Sequence, residues 1–197
     1  MRVTFPRLPD HQRAYSLVER DDGTVCTRNG GVAGPGLPLD IVHLVVEREL
    51  HIKDGIWAGI AAGVVFESMQ HVSGRRPPHA REGSKELRQR GLRAEVLANF
   101  VECVAGLDHP SDIQIRTLAA AKLTVLPEAD ADLEPAAVAA AAQALQVEAA
   151  RWARLRVGED LTYDWPREAV AAKARRARAH KPRIVRPYKK RKGRRPA

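Results

Sequence analysis

Aromatic residues make up only 5% of this 197-residue chain, and cysteine occurs just twice, as Cys26 and Cys103. A core built from it has to be aliphatic and rich in alanine. Two cysteines cannot carry a disulfide scaffold. Uninterrupted apolar sequence is also short. The longest run, Ile56 to Phe66, spans 11 residues. A bilayer-spanning helix needs about 20, so no transmembrane segment is expected. No apolar leader opens the chain. With 44% hydrophobic and 29% charged residues, wholesale disorder is excluded and a packed core is expected. These features predict a reduced, cytoplasmic protein that makes no membrane contact.

Acidic residues are nearly missing from one stretch. Residues 167–197 hold 14 Lys and Arg against the single acid Glu168, a net charge of +13. The other 166 residues hold 19 basic and 23 acidic side chains, a net of −4. The overall +9 therefore describes the C-terminal segment and not the body. Such a block repels itself and seeks polyanions. Lysine and arginine neutralise phosphates, and an aromatic ring among them stacks on a base. The candidate nucleic-acid contacts are Arg175, Arg176, Arg178, Lys181, Arg183, Arg186, Tyr188, Lys189, Lys190, Arg191, Lys192, Arg194 and Arg195. The plainer alternative is a solubilising extension with no dedicated partner. A smaller basic stretch, Gly74 to Arg93, contains Arg75, Arg76 and Arg81.

Several catalytic signatures are missing. The glycine-rich GGVAGPG stretch at Gly30 to Gly36 has neither GxGxxG nor a GK[ST] ending, so it reads as a flexible connection and not a phosphate cradle. There is no hydrolase elbow, HExxH or CxxC. Cys103 falls on an apolar helix face and reads as a small core residue. Cys26 falls in a strand, with no basic neighbour to mark a thiolate.

Periodicity places the elements. Alternating residues over 1–28, with Asp22-Gly23 as the turn, predict an antiparallel hairpin. Pro38 opens a helix over Leu39 to Ile52. Ile56 to Met69 is apolar nearly all round and predicts a central, buried helix with Ile60 and Val64 at its core. Its glycines Gly55, Gly59 and Gly63 fall four apart, a stripe suited to close backbone contact. A third helix runs from Lys85 to Gly106 with Leu92, Val96, Phe100, Cys103 and Leu107 inward. Asp108 to Ser111 starts a short helix ending at Lys122, and Pro135 starts a long alanine-rich one. Leu161, Tyr163 and Trp165 alternate as a late strand that can rejoin the hairpin.

The first helix carries the most specific local pattern. At 100° per residue, Asp40, His43, Glu47 and His51 share one flank. Carboxylate and imidazole one turn apart can share a divalent metal, or poise a proton-transfer pair. Asp40, His43 and Glu47 are therefore the candidate metal ligands, with His71 and His79 able to complete a site only if the following loop folds back. The ordinary alternative is a solvated polar face.

The stretch Leu37-Pro38-Leu39-Asp40-Ile41-Val42-His43-Leu44-Val45-Val46-Glu47 resembles a family of small uncharacterised bacterial proteins. Their motif is Pro-His-Asp-x-x-His-Phe-x-Val-Glu after an N-terminal hairpin. Asp40, His43, Val46 and Glu47 match it, while Leu39 and Leu44 replace its first His and its Phe. The run Gly55 to Gly63 is similar to the segment on the C-terminal side of that motif. The resemblance covers about residues 1–66 and brings no known activity.

The sequence thus predicts an α+β domain over residues 1–166. A small antiparallel sheet, hairpin plus late strand, packs on about five helices. A poorly ordered basic tail occupies 167–197. The leading functional expectation is a non-enzymatic protein without a required cofactor, whose tail binds RNA or DNA non-specifically. The alternatives are a small metal-dependent or acid–base enzyme using Asp40, His43 and Glu47, and a module that docks on a protein partner.

Overall fold

Apolar side chains alternate with polar ones along Arg2–Pro6, and β1 forms there with Val3 and Phe5 turned inward. The computed structural model describes residues 1–75, 85–127 and 131–166, with only the backbone of 85–90. Strands β2 (Arg13–Glu19) and β3 (Thr24–Val32) are joined at Asp22-Gly23. Gly23 takes φ +81° there, and the Asp22 carboxylate accepts from the Thr24 N–H at 3.1 Å. This is the turn chemistry the Asp-Gly pair offers. Ser16, Val18, Thr24 and Cys26 face inward from this hairpin.

Two further strands complete an antiparallel sheet of order β4-β3-β2-β1-β5. Strand β5 (Asp160–Asp164) pairs with β1, setting Val3 opposite Tyr163 and Phe5 opposite Leu161. The late strand therefore returns to the N-terminal strands as expected. Strand β4 (Met69–Gly74) pairs with β3 and was not expected.

That strand comes at the expense of the second helix. Helix α2 covers only Ile56–Ala61, not Ile56 to Met69. Gly63 lies just beyond it at φ +103°, a conformation that ends a helix, and the chain then turns into β4. Ile60 is fully buried, but Val64 lies in the connecting loop and is only half-buried. A continuous apolar run has no period, so a buried helix and a helix–loop–strand look alike in it.

The central helix is α1 (Leu39–Glu49), in which every residue from Ile41 to Glu47 is buried. It packs against α3 (Lys85–Ala105) and α5 (Pro135–Arg154), and touches β3 at its start. Helix α4 (Asp112–Lys122) packs on α3 and α5. Its Ser111 cap and Gln114 close a capping box, which fixes the start that the sequence signals. Helix α5 starts with proline in its first turn, where the missing N–H has no partner to lose.

Helix α3 presents a different face from the expected one. Ala94, Leu97, Ala98, Phe100, Val101 and Val104 are buried, whereas Leu92, Cys103 and Leu107 are exposed. Cys103 is therefore a surface thiol and not a core residue. Phe5 joins sheet to helices: its ring meets both Trp57 and Tyr163 edge-on, each at 5.8 Å. Fully burying a side chain such as Ile41, Leu44 or Phe100 contributes about 1.5–3 kcal/mol. Among the described residues, no helix is long and apolar enough to cross a membrane.

Candidate functional site: the polar flank of helix α1

Asp40, His43 and Glu47 lie along one flank of α1, but that flank is not solvated. Each of the three reaches a different element. Asp40 forms an ion pair with Arg28 of β3. The Arg28 guanidinium also lies 5.7 Å from the Trp57 ring centroid. The Trp57 indole donates to the Asp40 carbonyl at 3.0 Å. The start of α1 is thereby tied to both β3 and α2.

His43 is buried, and its Nε2 lies 3.1 Å from the Glu95 carboxylate on α3. Burial holds the imidazole below its ordinary pKa, against the upward pull of Glu95 and then of Asp40. In the neutral ring, Nε2–H donates to Glu95, and Nδ1 has no partner within the protein. Glu95 itself is 48% exposed, so this pair has one buried and one wet member.

Glu47 is 1% exposed and serves as a cap at a distance. One carboxylate oxygen accepts from the Ile56 N–H at 2.7 Å. The other accepts from Trp57 at 2.9 Å and Ala58 at 3.2 Å. These are the opening N–H groups of α2, which its glycine cap cannot satisfy. Burial pushes the carboxyl up to about 7, although the three N–H donors pull the other way.

The shared flank was legible, and the structure turns its three side chains to different elements: Asp40 to β3, His43 to α3 and Glu47 to α2. Among the described residues, no group of three or more His, Cys, Asp and Glu side chains is placed to hold a metal ion. His51 lies past the end of α1 at φ 52°, exposed. His71 sits in β4 opposite Cys26, and His79 lies outside the described residues. The flank's chemistry is that of a three-way fastening: one helix locked to the sheet by an ion pair, and to α2 and α3 by hydrogen bonds from buried side chains.

Arg28 and Glu95 were not foreseen. Their partners stand 12 and 52 positions away in the chain, so no local spacing signals them. All thirteen basic and aromatic candidates from Arg175 to Arg195 lie outside the described residues, as do Arg76 and Arg81. Arg75 is described, and its carbonyl accepts from the Thr24 hydroxyl at 2.9 Å. Compared with known proteins, the chain matches no family model, no curated protein and no solved structure.

Proposed function

We propose that this is a non-enzymatic binding protein whose segment 167–197 contacts nucleic acid without sequence preference. One observation carries the reading: 14 cationic side chains against one acid in that segment, beside a body of net −4. A polyanion is attracted to the segment and repelled by the body. The strand that leads into it supports this division, because β5 turns Asp160 and Asp164 to solvent and offers phosphate no cation of its own.

The test is a salt titration of binding to a labelled single strand and to a duplex. Each phosphate neutralised adds about 0.7–0.9 to the log–log salt slope. With about half the cations engaged, the slope is near −5 to −6, and fourfold more salt weakens binding about a thousandfold. Replacing Lys189, Lys190, Arg191 and Lys192 together by Gln in the full chain flattens the slope by up to about 3–4. A chain ending at Pro166 loses binding. Undiminished binding by that shorter chain overturns the reading.

A further inference from the structure

One long face of helix α5 has no partner, and it carries no charge over about four turns. Ala136, Ala140, Gln143, Val147, Ala150 and Arg154 are all exposed, on the side away from buried Leu145 and Trp152. Val147 is 53% exposed. Between Glu134 and Arg151 the one charged side chain is Glu148, and it is turned inward against Tyr163. A helix face that meets water ordinarily carries charged residues.

The six positions fall 4, 3, 4, 3 and 4 residues apart. That is the narrow repeat by which one helix lies along another. The series reads the same from either end, so a two-fold axis beside position 145 lays α5 antiparallel on the α5 of a second copy. Ala140 then faces Ala150, and Gln143 faces Val147. The ends fit the same axis. Asp132 and Glu134 stand exposed where α5 begins, and Arg154 stands exposed where it ends. None of these three has an ion-pair partner among the described residues, whereas Arg151 is held by Glu148. Reversing one copy brings each acidic end within a turn of a basic end and sets the two helix dipoles head to tail. A groove of about 580 Å³ runs beside the middle of α5, between Gln143 and Gln146 and the turn at Leu107 to Pro110. The same axis brings Val147 of the second copy to the mouth of that groove, where Leu107 is 38% exposed.

We propose that α5 is the interface of an antiparallel homodimer, with Ala140, Gln143, Val147 and Ala150 packed in the middle and a Glu134–Arg154 pair between copies at each end. A second copy fits better than an unrelated partner because the spacing and the end charges are both self-complementary, which a two-fold contact requires. The alanines let the two helix axes approach to about 8 Å. A contact one helix long covers about 300–400 Å² per copy, against about 800 Å² in a standard interface. The dimer is therefore weak, with a Kd of about 100 μM, and exchanges with monomer.

The test is sedimentation equilibrium of the full chain over about 5–500 μM, a range that brackets the expected Kd. The average mass should rise from that of the monomer toward twice that value. Val147→Glu, at an exposed position, should keep the circular dichroism of the parent and weaken association about tenfold or more, because it carries a charge into the middle of the contact. Glu134→Arg alone and Arg154→Glu alone should each weaken it about threefold to tenfold, since each sets like charges together at both ends. An equimolar mixture of those two variants should restore it, because every end contact between them is again between opposite charges. A chain that stays monomeric to the highest concentration overturns the proposal. So does a dimer that Val147→Glu leaves unchanged, which places the contact on another face, or a mixture that associates no more strongly than its components.

Discussion

Gly55 has no side chain at the point where the Glu47 carboxylate sits. A Cβ built on Gly55 falls directly on that carboxylate, so the glycine on one element and the acid on another form a single fitted unit. The stripe Gly55, Gly59, Gly63 is therefore not one surface. Gly63 takes φ +103°, and a Cβ built on it falls 3.1 Å from the Arg20 guanidinium, while one built on Gly59 meets only ordinary contacts at 3.7–3.9 Å. Gly55→Ala should cost about 1–3 kcal/mol, because the methyl displaces the carboxylate from its three N–H donors. Gly59→Ala should be neutral or stabilising by up to about 1 kcal/mol through helix propensity. Urea unfolding of the two variants side by side checks the contrast. Equal losses would mean that the two glycines share one constraint after all.

The Glu47 carboxyl and the His43 imidazole give opposite dependences on pH. Glu47 is raised from about 4.5 to about 7 in the folded chain, so between those values the folded state holds a proton that the unfolded state has released. Stability falls as pH rises through that window. His43 is lowered from 6.5, so the unfolded chain takes up a proton first on acidification, and stability falls as pH drops below about 6.5. The two slopes oppose each other in the wild type. Glu47→Gln should leave a stability that rises with pH over about 5–7, and His43→Gln one that falls. Unfolding midpoints at a few pH values distinguish them, and parallel profiles for the two variants would contradict the assignment.

Helix α5 is fastened to β5 by Glu148. Tyr163 donates to one of its oxygens at 2.6 Å, and Arg151 donates to both at 2.9 Å. The buried phenol is held above its ordinary pKa, first by burial and then by this hydrogen bond. Tyr163→Phe leaves the ring in place and removes one donor from a buried carboxylate. The expected cost is about 1–3 kcal/mol, or several degrees in melting temperature. A melting temperature unchanged within a degree would show that solvent replaces the lost donor.

The two thiols should separate cleanly. Cys103 is exposed on α3, while Cys26 is buried in β3 with its thiol pushed up by desolvation. A native-state thiol assay is expected to find one fast group, lost in Cys103→Ser, and the second only on unfolding. Two fast thiols would mean that the sheet opens readily at β3.

What the sequence disclosed, it disclosed through local chemistry. Asp22-Gly23, Ser111 with Gln114, and Pro135 each fix a turn or helix start within four residues. The return of Leu161 and Tyr163 to β1 was legible because their alternation matches that of Val3 and Phe5. What stayed hidden depends on partners far along the chain. Asp40, His43 and Glu47 mark a polar stripe, and polar stripes ordinarily face water. Here Arg28, Glu95 and the α2 backbone take the place of water, and no spacing within α1 announces them. Strand β4 was hidden for another reason: the apolar run before it erases the period that tells helix from strand.

The order of the sheet bears on how the chain is made. Strand β1 lies between β2 and β5, and its Arg2 pairs with Asp164. The β2–β3 hairpin closes over the short turn at residues 20–23, an event of about 1–10 μs. The β1–β5 seam must wait until the intervening helices exist. At about 5–20 residues per second of synthesis, that delay is about ten to thirty seconds. Throughout it, one side of β1 presents unpaired N–H and C=O groups. A second nascent chain can offer its own β1 to that side, and β5 is the element that withdraws the invitation.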